Sequence, residues 1–399
     1  MTTLAVKGGL AFINGSFSRK DILIADGVIA SMGARAPAAD QTIDASGCLV
    51  LPGLIDPHVH LREPGDTYKE DFRSGGRAAI AGGFTTVMDM PNNRLPTVTR
   101  ERLDEKKRLA KEKAICDVRF HFGGTDSNFS EVEEARPQSL KLYLGKTTGE
   151  LLLREPGSLE RHFEHFPKDL PIVLHACDDS PDEVKDLEKT CANIWTCIRL
   201  AQKTQRRIHI AHASTAREIL LAKTWKRCSV EVAPHHLFLS KHDLERLGPC
   251  GKVYPALRSE QERIGLWKAL GSVDCIATDH APHTIADKKA GAAGFPGLET
   301  SLALMLDACA KGLLERTWVA ERMSSRVADA FGLKGKGRLE KGCVADITIA
   351  DPKMEWTVDA AEFETKCRWS PFEGKKLKGR VRTVIMAGKP LYVDNEFWD

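Results

Sequence analysis

Short apolar runs rich in β-branched residues alternate with helical patterns along most of the chain, starting at about residue 51. The apolar runs, each predicted to form a strand, are Leu54–His60, Phe84–Asp89, Asp117–Phe122, Ser139–Tyr143, Pro171–Ala176, Arg207–Ala213, Ser229–Ala233 and Val273–Thr278. Helical patterns fall between most of them, at Arg73–Ala81, Thr99–Lys113, Ser158–Phe166, Pro181–Lys203, Ala216–Lys226 and Glu260–Leu270. This alternation predicts a (β/α)8 barrel of the TIM type. A doubly wound sheet fits less well, because no glycine-rich nucleotide loop follows the first strand.

Both ends of the chain have the pattern of β structure instead. Residues 1 to about 50 contain short apolar runs with turn signals at Asn14-Gly15 and Asp26-Gly27. After two helical patterns near the C-terminus, strand signals return at Ala345–Ala350, Arg380–Ala387 and Pro390–Val393. The simplest arrangement packs the two ends together. We therefore predict an α/β protein in which a small discontinuous β-sandwich-like domain, residues 1–50 plus 340–399, flanks a barrel of residues 51–339.

Composition narrows the class of protein. The 399 residues are 42% hydrophobic, which is typical of a globular chain, and 58 basic against 55 acidic residues give a net charge of only +3. This balance favours neither nucleic acid nor a membrane as a partner. The start of the chain lacks the pattern of a signal peptide, so we expect a cytoplasmic protein. The 11 cysteines form no CxxC pair and predict reduced thiols.

Histidines gather where the predicted strands end. Nine of the 13 histidines lie there, beginning with His58 and His60, which share one face of the first strand. Histidines with only structural roles would be spread over the barrel and not gathered at the carboxyl ends of its strands, so this pattern indicates a metal site. His175 ends the fifth strand. We take His212 rather than His209 as the ligand from the sixth strand, because it lies nearer the rim, and we place His235 and His236 outside the ligand set.

Two further residues bring chemistry to the same rim. Lys141 lies within an apolar strand, where an unpaired ammonium is costly. It could form a salt bridge, lose its proton, or add carbon dioxide to become a carbamate that bridges two cations. Asp279, at the end of the eighth strand, could be both a metal ligand and a proton shuttle. The alternative for Asp279 is a structural carboxylate paired with His280 or His283.

Together these segments resemble the amidohydrolase superfamily and, within it, the class I dihydroorotases. The segments that carry the resemblance are Pro52–Gly65, Met90–Asn92, the Lys141 strand, Leu174–Ala176, His209–Ala213, Ala233–His236 and Asp279–His283. The resemblance implies two zinc ions, one held by His58, His60 and Asp279 and the other by His175 and His212. Carboxylated Lys141 and a hydroxide would bridge the ions. The hydroxide would attack the ring amide carbonyl, with Asp279 as general acid and base. The reaction would be the reversible cyclisation of N-carbamoyl-L-aspartate to L-dihydroorotate in pyrimidine biosynthesis.

The resemblance also implies the substrate contacts. Arg62 suits the substrate carboxylate, because a guanidinium pairs with it bidentately. Asn92, His283 and the backbone at Ala293 and Gly294 are similar to the other contacts of the family. The segment Gly145–Gly149 matches in place a mobile loop of some relatives, and its Gly and Thr content fits a loop that could close over the substrate.

Two positions depart from the pattern of the family. Tyr254 stands where relatives often have asparagine or arginine, so either Tyr254 or Arg258 would have to compensate. Ala211 stands where some relatives have a cysteine that binds a third metal together with an acid at the position of Glu231. We therefore expect two metals.

Other functions remain open at this point. A hydantoinase, dihydropyrimidinase or allantoinase would use the same metal ligands, although Arg62 favours a carboxylated ring. An inactive scaffold for a transcarbamoylase would be expected to have lost ligands, whereas this chain keeps all six positions. The expected partner is the small-molecule substrate. A homodimer and an association with aspartate transcarbamoylase are further expectations.

Overall fold

A computed structural model describes residues 2–145, 147, 150–178 and 180–398 of the chain. Its strands are β1 Thr3–Lys7, β2 Leu10–Ile13, β3 Ser16–Arg19, β4 Asp21–Ala25, β5 Val28–Gly33, β6 Gln41–Asp44, β7 Leu49–Pro52, β8 Leu54–Val59, β9 Phe84–Asp89, β10 Asp117–Phe120, β11 Phe122–Gly123, β12 Leu140–Tyr143, β13 Ile172–His175, β14 Ile208–Ile210, β15 Cys228–Val232, β16 Cys275–Ile276, β17 Ile347–Thr357, β18 Lys376–Met386, β19 Lys389–Val393 and β20 Glu396–Phe397.

The described α-helices all fall between β8 and β17, as the sequence pattern predicts. They are α1 Phe72–Ala81, α2 Arg100–Lys113, α3 Phe129–Ala135, α4 Ser158–His165, α5 Glu183–Thr204, α6 Ala216–Ala222, α7 Pro234–Phe238, α8 Leu244–Leu247, α9 Glu260–Ala269, α10 Ile285–Lys289, α11 Leu298–Ala310, α12 Arg316–Arg322 and α13 Ser325–Phe331. None of the described helices combines the length and the apolar character that a membrane crossing requires.

The central strands β8 to β16 form a parallel barrel, which confirms the predicted fold class. They pair in the orders β10-β9-β8 and β11-β12-β13-β14-β15-β16. The third barrel position is split at His121, so that β10 pairs with β9 and β11 pairs with β12. The first and eighth positions meet through a parallel bridge between Val59 and His280. The carboxyl ends of all eight positions therefore face one rim, where barrel enzymes carry their active sites.

The amino end of the barrel is filled by α13. Phe331 packs against the rings of His121 and His209 at centroid distances of 5.8 and 4.9 Å. One of the two helical patterns near the C-terminus predicts a helix near Trp318–Phe331, but the structure has two helices there, α12 and α13. The break has a physical reason: the carbonyl of Met323 accepts a hydrogen bond from the amide of Ile55 at 2.8 Å, which ties this point to the first barrel strand.

The two ends of the chain share one sheet. Its strand order is β20-β19-β18-β17-β7-β2-β3, and β17 pairs with β7 through partners such as Ile347 and Pro52. A second sheet, β5-β4-β1-β6, comes from the N-terminal end alone. Asn14 and Asp26 adopt positive φ in the predicted tight turns. The domain boundaries given above, 1–50 with 340–399 and 51–339, stay a prediction.

Candidate metal centre and active site

A cavity of about 350 Å³ opens at the carboxyl ends of the barrel strands. All of the predicted site residues except one line it, namely His58, His60, Arg62, Asn92, His175, His212, Asp279, His283, Ala293 and Gly294. The exception, Lys141, is completely buried. Side chains from distant parts of the sequence therefore meet in one place, because parallel strands bring their carboxyl ends to the same rim.

Three of these side chains form a group that could hold a metal ion. The ligand atoms of His58, His60 and Asp279 all lie within 4.8 Å of one another. Oδ1 of Asp279 lies 3.4 Å from Nε2 of His58 and 3.2 Å from Nε2 of His60. Burial lowers the pKa of both imidazoles, although the carboxylates of Glu231 and Asp279 partly oppose this at His58. Neutral imidazoles and a carboxylate are suitable zinc ligands.

The two remaining histidines of the predicted ligand set, His175 and His212, lie beside this group. Nδ1 of His175 lies 2.9 Å from Nε2 of His212. Two nitrogens bound to one tetrahedral zinc at about 2.0–2.1 Å would lie about 3.3 Å apart, so the pair already has nearly this spacing. The ring of His212 lies 5.3 Å from the ring of His58, which brings the two halves together.

Lys141 lies beneath both halves. Its Nζ is buried and has no hydrogen-bond partner among the described residues. Burial lowers the pKa of Lys141 to about 8, and the negative charges of Glu231 and Asp279 oppose this only in part. An isolated buried ammonium is costly, whereas a carbamate between two cations would be stabilised. The chemistry of this lysine therefore fits a bridging ligand.

Glu231 and Asn92 contact the ring nitrogens of His58 and His60 that point away from Asp279. Oε1 of Glu231 lies 2.5 Å from Nδ1 of His58, and Oε2 lies 2.9 Å from Nε2 of His209. Oδ1 of Asn92 lies 2.8 Å from Nδ1 of His60. Such contacts fix the ring orientation and leave the opposite nitrogen free for a metal. The ring of His209 thus contacts Glu231, whereas the ring of His212 contacts the candidate ligand His175.

Asp56 is a site residue that sequence reasoning missed. Its Oδ1 accepts hydrogen bonds from the amides of His58 and Thr278 at 3.0 and 3.1 Å, and Thr278 Oγ1 donates to Oδ2 at 2.5 Å. Burial raises the pKa of Asp56 to about 8. This carboxyl group joins the first and eighth barrel positions directly below the metal group. The available signal was an acidic residue inside an apolar strand.

Arg62 lies on the other side of the cavity. Its guanidinium donates to the carbonyl of Pro282 at 3.2 Å and lies 3.0 Å from Nε2 of His283. The side chain is only 7% exposed, yet no described carboxylate lies within ion-pair distance of it. Burial lowers the pKa of Arg62, which distant carboxylates such as Asp89 partly oppose. A buried guanidinium without a counter-ion favours an anionic ligand.

Three residues at this site have a strained backbone. Arg62, His212 and Asp279 have φ values of 62°, 38° and 49°, in the left-handed region that non-glycine residues seldom adopt. Such conformations cost about 1–3 kcal/mol each and occur mostly at functional sites. One residue from each of three barrel positions is therefore held in an unfavourable conformation beside the cavity.

The remaining sequence predictions differ in outcome. Tyr254 lines the cavity, but Arg258 does not, because its guanidinium pairs with Asp186 at 2.5 Å. His235 and His236 are buried, and their ring centroids lie 4.4 Å apart with the ring planes tilted by 56°. In the segment Gly145–Gly149, residues 146, 148 and 149 lie outside the described residues. The hydroxyl of Thr147 in that segment accepts a hydrogen bond from Asn92 at 3.0 Å.

Comparison with known proteins agrees with this geometry. Residues 49–391 match the model of the amidohydrolase family. A dihydroorotase of Thermococcus kodakarensis is 37% identical over 98% of this chain and 95% of its own length. A dihydroorotase of Pyrococcus abyssi is 40% identical over 97% of this chain and 95% of its own length. The Squalus acanthias multifunctional protein CAD is 38% identical over 87% of this chain but only 15% of its own length.

Among solved structures, the L-hydantoinase (dihydropyrimidinase) from Arthrobacter aurescens superimposes with a TM-score of 0.94. The two proteins are 27% identical, and the match covers 100% of this chain and 98% of the other. This likeness agrees with the predicted superfamily and barrel. The chain therefore belongs to the amidohydrolase family, in the group that contains the dihydroorotases.

Proposed function

We propose that the chain is a dihydroorotase, which interconverts N-carbamoyl-L-aspartate and L-dihydroorotate in the biosynthesis of pyrimidines. Family membership makes it a hydrolase of cyclic amides. The observation that carries the choice of substrate is Arg62, a buried guanidinium that lines the cavity and has no counter-ion among the described residues. A substrate carboxylate would supply that counter-ion and pair with the planar fork.

The proposal includes two zinc ions and a modified lysine. His58, His60 and Asp279 would hold one ion, and His175 and His212 the other, with Lys141 as a bridging carbamate. The close ligand atoms of the first group and the orphaned Nζ of Lys141 support this arrangement. When bound, the ions supply an activated water and polarise the ring carbonyl.

Asp279 provides the proton transfer. Its Oδ1 lies within 3.4 Å of both histidines of the first group, so the carboxylate would be close to a water bound by an ion held there. In hydrolysis it accepts a proton from that water and delivers it to the leaving ring nitrogen. In cyclisation the same carboxylate takes the proton from the carbamoyl nitrogen and returns it to the departing water.

The other predicted contacts would orient the ring. Asn92 and His283 present polar atoms to the cavity, and the backbone at Ala293 and Gly294 forms one wall. Gly294 has a φ of 141°, and a Cβ at this position would lie 2.6 Å from the carbonyl oxygen of Ala281. A larger residue would therefore push this wall away from its place. The close fit of the loop supports a role in ring binding.

Substrate comparison tests the proposal. Purified chain should turn over dihydroorotate faster than dihydrouracil, hydantoin or allantoin, because these three rings carry no carboxylate for Arg62. Neutral rings are the alternative substrates, because the structure also resembles that of an L-hydantoinase (dihydropyrimidinase). Faster turnover of any of them would overturn the choice of dihydroorotate. Zinc analysis of the same sample distinguishes an enzyme from an inactive scaffold, which would bind no zinc.

The proposal extends to assembly and location. We expect a cytoplasmic homodimer that associates with aspartate transcarbamoylase. The multifunctional CAD relative supports the association: it matches this chain over a small part of its own length, so a homologous segment is joined there to other parts of a larger protein. Size-exclusion chromatography of the chain alone tests the homodimer, and chromatography of the chain mixed with the transcarbamoylase of the same organism tests the association.

A further inference from the structure

A second cation, Lys69, lines the same cavity as Arg62. Both residues belong to the short segment that follows β8. The amide of Asp66 donates to the carbonyl of Arg62 at 3.1 Å, and the amide of Lys69 donates to the carbonyl of Asp66 at 2.9 Å. These two turns carry the chain from Arg62 to Lys69 along the rim of the cavity. One segment therefore supplies two positive charges to one site.

The ammonium of Lys69 is poorly satisfied in the structure. Its side chain is only 12% exposed, and the nearest carboxylate oxygens, from Asp66 and Asp287, lie 3.4 and 3.7 Å away. Charge-assisted hydrogen bonds are shorter, at about 2.7–2.9 Å. The Asp287 carboxylate is already used, because it accepts hydrogen bonds from Tyr68 and Thr284. A largely buried ammonium without a close acceptor can gain free energy from an anionic ligand.

The other basic residue that sequence reasoning considered for this role is occupied elsewhere. Arg258 is buried against Asp186 and Ser214, at 2.5 and 2.9 Å, and does not line the cavity. Among the described residues that line the cavity, the Lys and Arg side chains are Arg62 and Lys69. Burial and then the positive charges of Arg62, Lys69 and Lys288 lower the pKa of His283 to about 2, so the charges of Arg62 and Lys69 both reach this cavity residue.

We propose that Lys69 is a specificity-determining residue, whose ammonium binds the substrate carboxylate together with Arg62 and selects carboxylated rings over neutral ones. This inference rests on the proposed function. Arg62 contributes a rigid fork and Lys69 a flexible point charge, so the two cations can share one carboxylate from different directions. Tyr254 also lines the cavity, and with Lys69 present it does not have to replace the arginine that some relatives have at its position.

The test compares Lys69→Met with Lys289→Met, an exposed lysine on α10 that does not line the cavity. The measurements are kcat and KM for dihydroorotate and the inhibition constant of dihydroorotate methyl ester, which lacks the negative charge. In Lys69→Met we expect the KM for dihydroorotate to rise about ten- to hundredfold. The ester should bind as it does to the unsubstituted chain, and Lys69→Arg should recover most of the lost affinity. Lys289→Met should change none of these values.

A purely structural role for Lys69 would give a different pattern. If Lys69→Met weakened the ester and dihydroorotate equally, or lost its bound zinc, the specificity role would be overturned. An unchanged KM for dihydroorotate would overturn it as well. If the unsubstituted chain failed to turn over dihydroorotate, the proposed function would be refuted and the inference with it. Normal turnover with an unchanged KM in Lys69→Met would refute the inference alone.

Discussion

Oε1 of Glu231 lies 2.5 Å from Nδ1 of His58, and the same oxygen accepts a hydrogen bond from the amide of His212 at 3.1 Å. One buried carboxylate thus orients a candidate ligand of the first ion and positions the backbone of a candidate ligand of the second. Nε2 of His58 is left facing Asp279. Outer contacts of this kind also make the imidazole a stronger base towards a metal.

Replacement of Glu231 by Gln should therefore weaken zinc binding while leaving the barrel folded. The uncharged amide polarises His58 less, and we expect a loss of about 10–100-fold in zinc affinity. Competition with a chromogenic chelator measures it. Glu340→Gln, at an exposed position, is the matched control and should bind zinc normally. Equal zinc affinity in both variants would contradict the orienting role of Glu231.

Replacement of Lys141 by Ala should abolish binuclear zinc binding and turnover. The side chain is buried without a hydrogen-bond partner, so its removal costs the fold no polar contact among the described residues. Elemental analysis, circular dichroism and turnover measurements check these outcomes together. Short carboxylic acids should partly restore activity, because they can occupy the space of the carbamate. Near-normal turnover without any added acid would show that Lys141 does not bridge the ions.

When zinc and carbon dioxide are added to the metal-free chain, the rate at which activity returns should depend on pH, because Lys141 must lose its proton first. Only the neutral amine adds carbon dioxide, and burial lowers the pKa of Lys141 to about 8. The neutral fraction is then about a tenth at pH 7 and about nine-tenths at pH 9. At fixed dissolved carbon dioxide and zinc, the rate of reactivation should rise about tenfold over this interval and then level off. A rate that still rises tenfold per pH unit above pH 9 would indicate an ordinary lysine.

Replacement of Arg62 by Lys should weaken substrate binding more than it slows turnover. Lysine keeps the charge but loses the planar fork that pairs bidentately with a carboxylate. We expect the KM for dihydroorotate to rise about ten- to hundredfold with a smaller change in kcat. Steady-state kinetics of Arg62→Lys and of Arg217→Lys, an exposed arginine on α6, check this. An unchanged KM in Arg62→Lys would argue against the carboxylate contact.

Much of this site could be predicted because strand periodicity and strand ends are local properties. His58 and His60 are two residues apart, so an extended chain must place them on one face. Lys141 stands out as a charge within an apolar strand. Glu231 carried a local signal too, but its contacts could not be predicted, since His58 and His209 reach it from other strands. The register of three strands decides those contacts.

Lys69 shows the same limit on the substrate side. In the sequence it is one charged residue in a polar segment, which usually indicates a solvated loop. Only the turn from Arg62 and the approach of α10 make it a cavity residue with a nearly buried side chain. Arg258 is the reverse case: the sequence made it a candidate for the site, but in the structure it pairs with Asp186 and does not line the cavity.

The order of strands and helices, the discontinuous β ends and the candidate ligands on the barrel rim were determined by the sequence alone. These follow from hydrophobic periodicity and residue chemistry, which act over a few neighbouring positions. Only the tertiary structure decided which polar groups support the ligands, which cation stays without a counter-ion and where Lys69 lies. Those relationships depend on distances between segments far apart in the chain, and packing of the closed barrel sets these distances.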